Sequence, residues 1–448
     1  MPVTSANDLT ALAHEYGTPL WVYDAPTIRD RIRQLGAFDV IRYAQKACSN
    51  IHVLSLMRGA GVHVDSVSLG EIDRAQRAGF SASPTVSGAA GIVYTADIFD
   101  RPTLGRVVND KVEVNIGSID MLHQLGELSP DHRVWLRVNP GFGHGHSNKT
   151  NTGGEKSKHG IWHAGLTRAL ELVRRYRLHL VGLHLHIGSG VDYGHLERVC
   201  HAMTGLLTDL DHDIEAISAG GGLSVPYRDG DRATDTEHYF SLWDSVRRQA
   251  ESKFNHPVRL EIEPGRFLVA EAGLLVAEVR ATKQAGRNHF TLVDAGFNDL
   301  MRPALYGSYH KISVLPHDGR SLSPYELRPT VVAGPLCESG DVFTQRAGGV
   351  VETRALPPTE VGDLLVFHGA GAYGSSMSSN YNSRLHAAEY LMDGESSRLI
   401  RRRQTIDELC KMELISGHPA EATRPLKSKE NDKRKKVSAP VLEAYVKG

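Results

Sequence analysis

Several short stretches gather residue types able to do chemistry. RYAQKACSN, residues 42–50, places Lys46 directly after the alternating run VIRYA. Desolvating a lone ammonium is costly, so Lys46 is either a solvated rim residue or a nucleophile held in a pocket. Asp65 lies at the end of the next apolar run, VHVDSV. In HLHIGS, 184–189, His184 and His186 fall on one face of a strand. An HxH at a strand end can bind zinc, but such a site needs further ligands. The neighbouring runs end instead in Asn115, Asn139 and glycine, so no metal is expected. His184 reads as a hydrogen-bonded core histidine, whereas His186, followed by Gly188 and Ser189, reads as a site residue.

SAGGGLS, 218–224, puts Gly220, Gly221 and Gly222 where a strand turns into a helix, so that backbone N–H groups can approach an anion. On its own such a turn is at least as often only a tight turn. EIEPGR, 261–266, adds the carboxylate of Glu263, Gly265, and the guanidinium of Arg266, whose donors form a fork suited to phosphate. GPLCESGD, 334–341, sets Cys337 beside Glu338 and Asp341. A free cysteine is most often a small buried hydrophobe, but the acidic turn makes proton transfer the alternative. GAYGSSMSSNYNSR, 371–384, carries Tyr373, Tyr381 and Arg384 among small residues and reads as a ligand-binding loop. GFGHGHSNKTNTGGEKSKHG, 141–160, contains His144 and His146 without apolar periodicity. It reads as a mobile loop over a barrel mouth rather than a metal site.

Alternating strands and helices must position these residues. From about residue 26 to 264 the strand candidates are VIRYA, VHVDSV, PTVSG or IVYT, VEVNI, RVWLRVN, LVGLHLHIG, IEAISAGGG and VRLEIEPG. Helical patterns such as GEIDRAQRAGF lie between them, which predicts an α/β fold, a (β/α)8 TIM-type barrel with its active site at the C-terminal strand ends. Lys46, Asp65, His186, the glycine turn, Glu263 and Arg266 all occupy such ends. After EPGR the texture changes to LLVAEVRATKQ, HFTLVDAGF, TVVAGPL, VVETRALP and DLLVFHG, separated by Gly, Pro and Asp turns. These predict a C-terminal all-β domain over 265–415, with LWVYD of the N-terminal segment 1–25 pairing to it. The polar, basic stretch 416–448, with KRKK at 433–436, reads as a disordered tail.

Composition narrows the function classes. The chain has 448 residues, enough for two well-packed domains, and a formal net charge of −1. No basic field argues for nucleic acid or an anionic membrane. Cys48, Cys200, Cys337 and Cys410 are far apart, which suits a reducing compartment rather than a disulfide framework. No secretory signal or membrane-length apolar run is visible, so a cytoplasmic location is expected.

Together, YAQKACSN, VDSVSLGE, HLHIGSG, SAGGGLS, EIEPGRF, DAGFNDLMRPALYGSYH, GPLCESGD and GAYGSSMSSNYNSR resemble the diaminopimelate decarboxylase family in order and spacing. These are pyridoxal-phosphate-dependent enzymes of the alanine-racemase-like fold. The resemblance runs from about residue 8 to 415, and KTNTGGEKSKHGIW is similar to the bacterial form. It implies that Lys46 forms the Schiff base with pyridoxal 5'-phosphate and that His186 stacks on the ring. Gly220, Gly221, Gly222, the backbone of Gly265 and Arg266, and Tyr373 would hold the phosphate, with Asp65 and Ser189 also at the cofactor. Glu263 would pair with the pyridine nitrogen, keeping the ring protonated as an electron sink. Arg266, Arg302, Tyr306 and Tyr373 would meet the substrate, and Glu338 its distal ammonium. Cys337 would reach across a homodimer interface as proton donor. The implied reaction is loss of CO2 from meso-diaminopimelate to give L-lysine. Decarboxylation of D-lysine, D-ornithine or arginine, and a non-catalytic cofactor-binding relative, are the alternatives. Gly369 stands where members of the family often carry an aspartate.

Overall fold

The computed structural model describes residues 5–84, 88–143, 152–186, 188, 190 and 193–414. A helix, Ala6–Tyr16, and strand β1, Leu20–Asp24, come first. Next is a closed parallel barrel whose strands are β2 (Val40–Ala44), β3 (His63–Ser66), β4 (Ile92–Ala96), β5 (Glu113–Ile116) and β6 (Arg133–Asn139). A two-residue strand β7 (Ile161–Trp162) pairs with the end of β6, and β8 (His179–His184), β9 (Ala216–Ser218) and β10 (Arg259–Ile262) complete the ring. Pairing of β10 with β2 and of β5 with β6 closes it. The fourth predicted position is therefore filled by IVYT: β4 runs Ile92–Ala96, while Pro84 and Ala90 form only an isolated bridge before it.

Among the described residues, seven helices cross between successive barrel strands. Their starts are legible as caps: Asn50, Ser68, Asp100, Ser118 and Asp235 each accept from a backbone N–H of the first turn. Each helix buries an apolar stripe on the barrel, as Ile72 and Ala75 do in Leu69–Arg77. The strands are short and almost wholly buried, as expected where both faces are covered.

A second sheet follows. It contains β11 (Gly273–Ala285), β12 (Asn288–Val293), β13 (Ile312–Leu315) and β14 (Arg328–Ala333). A small hairpin, β15 (Gln345–Arg346) with β16 (Val350–Val351), stands apart from it. β17 (Arg354–Leu356), β18 (Leu364–Phe367), β19 (Ala388–Met392) and β20 (Arg398–Arg401) complete the sheet. β1 lies inside it, antiparallel to β11 and parallel to β19. Trp21 and Tyr23 of β1, Phe267 after the barrel, and Leu275 and Phe367 of the second sheet belong to the same buried cluster as the barrel residues. Residues up to Gln404 accordingly form one compact unit. A second unit begins at Thr405, and its described part is a short helix, Ile406–Cys410, with a Thr405–Glu408 capping box. The predicted tail from 416 lies outside the described residues, as do His144, His146 and Ser189.

Candidate active site

The C-terminal strand ends open into a cavity of about 780 Å³. Lys46 sits in a 3-10 turn, Gln45–Ala47, that follows β2 directly. Buried Gln45 anchors this turn by donating to Ser66 Oγ at 2.6 Å and to the Glu71 carbonyl at 3.1 Å. From the other side, Tyr373 N–H donates to the Ala47 carbonyl at 2.8 Å and Ser376 Oγ to the same atom at 3.0 Å. Tyr373 adopts φ 57°, a left-handed conformation that a bulky residue holds only under constraint. The second sheet thus clamps the lysine turn. Lys46 itself projects into the cavity and has no hydrogen-bond partner among the described residues.

Opposite the lysine turn, β10 delivers Glu263 immediately past its end. Its Oε2 accepts from His184 Nε2 at 2.7 Å, and its Oε1 from Ser218 Oγ at 3.1 Å. Burial alone would raise the Glu263 pKa, but the adjacent His184 and its hydrogen bond lower it, so the group stays a carboxylate. Asp65 shifts the other way: burial and the nearby Glu263 charge raise it, and its Oδ1 is buried without a partner. His184 is therefore the buried, hydrogen-bonded histidine expected, and its partner is a site carboxylate. His186 lies on the cavity wall and accepts from Gly221 N–H at 3.1 Å. Burial, with the charges of Arg137 and Lys46, holds its pKa well below the usual histidine value.

The glycine turn divides its tasks. Gly220 is at φ +60°, and a Cβ there would meet the Leu185 carbonyl at 2.3 Å. Its N–H donates to Ser218 Oγ, and it does not line the cavity. Gly221 and Gly222 do line it. Gly221 N–H is committed to His186, which leaves Gly222 as the glycine of this turn that lines the cavity with no such commitment. Gly265 closes the wall nearby, its Cβ position only 3.2 Å from the Ala44 carbonyl.

Arg266, Arg302, Tyr306 and Tyr373 line the same cavity. The Arg266 guanidinium lies 5.3 Å from the Tyr373 ring centre. Cys337 and Glu338 are not brought to this cavity. Both are exposed, and the Cys337 N–H donates to Asn382 Oδ1 at 2.8 Å. Exposure rules out the small-buried-hydrophobe reading of Cys337. Asp341, expected beside the thiol, instead accepts from the Leu336 and Phe297 backbone N–H groups.

Arg137 and Tyr227 are among the cavity residues that escaped sequence reasoning. Arg137, 7% exposed, reaches the cavity from β6, where Asp97, Glu263 and Asp65 attract its charge against the cost of burial. The alternation of RVWLRVN, which sets Arg133, Arg137 and Asn139 on one face, was the available signal. Tyr227, in the long connection after β9, had none.

Pyridoxal phosphate fits these residues. The unpartnered lysine amine, the ionised carboxylate of Glu263, an imidazole on the wall, and backbone and guanidinium donors match its aldehyde, ring nitrogen, ring face and phosphate. The buried orphan oxygen of Asp65 and orphan Nδ1 of His184 leave polar atoms for it to satisfy.

Comparisons with known proteins point the same way. The family described as pyridoxal-dependent decarboxylase, pyridoxal binding domain, matches residues 28–270. The chain is 62% identical over 411 residues to diaminopimelate decarboxylase of Escherichia coli K12, covering 92% of this chain and 97% of that one. It is 62% identical over 417 residues to the enzyme of the same description from Streptomyces coelicolor, covering 93% and 94%. A crystal structure of diaminopimelate decarboxylase matches with TM-score 0.89 at 62% identity over 92% of this chain and 97% of that one. The Helicobacter pylori diaminopimelate decarboxylase complexed with L-lysine matches at TM-score 0.77 and 29% identity, covering 90% and 99%. The chain belongs to the diaminopimelate decarboxylases, within the pyridoxal-dependent decarboxylase family.

Proposed function

We propose that this enzyme removes CO2 from meso-2,6-diaminopimelate to give L-lysine, the last step of lysine biosynthesis, with pyridoxal phosphate bound at Lys46. When bound, that cofactor supplies an electron sink for the pair left on Cα by the departing carboxyl group. The protein's own residues do the rest. Lys46 Nζ would hold the cofactor through its aldehyde. Glu263, kept ionised by His184, holds a proton at the ring nitrogen. His186 would lie against its ring, and Gly222, Gly265 and Arg266 would hold its phosphate. Arg302 and Tyr306 orient the distal carboxylate, so that a shorter or uncharged analogue leaves buried donors unpaired.

One observation carries this reading: a single cavity holds an unpartnered lysine, an ionised carboxylate, and two guanidiniums that no carboxylate of the described residues neutralises. Cys337 and Glu338, exposed and away from the cavity, are read as completing the site of a second copy in a homodimer. Cys337 Sγ would donate the proton to Cα, and Glu338 would meet the distal ammonium.

The test is CO2 release from meso-diaminopimelate against D-lysine and L-ornithine. Preferential turnover of diaminopimelate is expected, and faster turnover of ornithine overturns the assignment. For the dimer, Cys337→Ala and Lys46→Ala are inactivated separately, then mixed and allowed to exchange subunits. Shared sites predict recovery of about a quarter of the activity; no recovery from a mixture shown to have exchanged overturns sharing.

A further inference from the structure

Arg266 and Arg302 are like charges drawn into one cavity, and their supports contain no carboxylate among the described residues. Arg266 Nη1 donates to Tyr227 Oη at 2.7 Å, and its guanidinium lies 5.8 Å from the Tyr227 ring centre. The Arg302 guanidinium lies 4.9 Å from the same ring centre. Arg302, 4% exposed, also donates from Nη1 to His310 Nε2 at 3.1 Å. His310 Nδ1 faces the His368 backbone carbonyl at 2.9 Å. A carbonyl only accepts, so Nδ1 carries the proton and Nε2 offers its lone pair to Arg302. His310 is therefore neutral, and burial beside Arg302 lowers its pKa to about 3. The ring of Tyr227 meets the His310 ring edge-on at 5.8 Å.

A buried guanidinium normally finds a carboxylate, which offsets its desolvation but also cancels its field. Here an aromatic face, a phenol oxygen and a neutral imidazole take that place. They orient both guanidiniums and leave their charge uncancelled. We propose that Tyr227 and His310 are positioning residues that hold Arg266 and Arg302 toward the cavity as unneutralised cations, available to the anionic groups of substrate and cofactor. This rests on the reading above that these two arginines meet a carboxylate and a phosphate.

The holoenzyme tests it through two substitutions. Tyr227→Phe keeps the ring and removes the acceptor, and Tyr227→Glu replaces a neutral acceptor with a charged one. Steady-state kinetics with meso-diaminopimelate separate KM from kcat. Titration of the apoprotein with pyridoxal phosphate, followed by absorbance, gives a readout that needs no turnover. Tyr227→Phe is expected to raise KM roughly tenfold while leaving kcat nearly unchanged, the mark of lost binding rather than lost chemistry. Tyr227→Glu is expected to raise KM well beyond that and to weaken pyridoxal phosphate binding. A folded Tyr227→Glu protein with KM no higher than that of Tyr227→Phe overturns the proposal, as does a Tyr227→Phe protein that loses kcat at unchanged KM. If Tyr227→Glu does not fold, the KM-against-kcat split of Tyr227→Phe decides alone. Failure of the wild-type protein to turn over diaminopimelate would sink the functional reading, while the cofactor titration still tests the clamp.

Discussion

Toward the N-terminal ends of the barrel strands, Arg42 Nη2 donates to Glu261 Oε2 at 2.7 Å, and both side chains are 1% exposed. Arg133 bridges Glu113 and Glu215, each at 2.9 Å, while Arg259 and His179 also reach Glu215. Trp135 Nε1 donates to Glu113 Oε1 at 2.5 Å. At the opposite ends of the same strands, Lys46, Arg137, Arg266 and Arg302 form no ion pair with any described residue. One barrel thus holds two sets of charges under opposite rules. On the floor every cation has a carboxylate, so the network locks strands β2, β5, β6 and β10 to one another. At the mouth none of them has a close ion pair: Arg266 and Arg302 rest on neutral groups, and carboxylates attract Arg137 without pairing with it, an arrangement that costs stability unless an anion or an aldehyde arrives. Close ion pairing separates the structural charges from the functional ones.

The largest expected effect breaks the comparison at the mouth. Lys46→Ala should abolish the Schiff-base absorbance and lower kcat by at least about 10²–10⁴-fold, while the melting temperature of the apoprotein stays near wild type. Loss of folding would show that Lys46 belongs with the structural charges after all. The mirror experiment is on the floor. Arg42→Met leaves Glu261 buried without its closest partner and should cost about 3–5 kcal/mol in denaturant unfolding, with kcat/KM preserved in the folded fraction. An unchanged unfolding midpoint would remove the floor network as a source of stability.

A finer test falls between the two ends. His184→Phe removes a hydrogen bond that lowers the Glu263 pKa. The pKa should then rise, and the acid limb of the kcat/KM profile should move to higher pH. An unmoved limb means that His184 only fills space. The smallest effect belongs to Glu215, which the His179 hydrogen bond, opposed by burial and aided by Arg133, holds well below the usual carboxylate range. A folded-state pKa below the unfolded one contributes stability that is present above about pH 4.5 and is lost on further acidification. Glu215→Gln should therefore be less stable at neutral pH and show a flatter stability profile under acid. An equally steep profile would assign the acid sensitivity elsewhere.

Much of the barrel was readable in advance, because each strand ends in a recognisable change of composition. Lys46, His186, Glu263 and Arg266 stood out as chemically capable residues at those ends. Arg137 did not, because in RVWLRVN it shares a face with Arg133, and one strand runs from floor to mouth with an arginine at each. β13, β19 and β20 also escaped: AEYLM gains its strand character from β1, far away in the chain, and RLIR only from pairing with AEYLM. Tyr227, in a long connection, could not be found at all, and His310, just past a one-turn helix, Arg302–Tyr306, lay inside the motif DAGFNDLMRPALYGSYH with no sign of its task.

By itself, then, the sequence determined which residues have the chemistry, and the strand–helix alternation that brings the strand-end ones to one face, since periodicity and capping are local properties. Only the tertiary structure decided what each charge meets. The connection between β18 and β19 clamps the turn that carries the unpartnered Lys46 amine, and Glu263 stayed ionised because β8 carries His184 beside it. Gly220 was withdrawn from the glycine cradle because its N–H already has an acceptor. Partnership depends on distances of a few ångströms between residues up to hundreds of positions apart, and no local pattern in the chain records them.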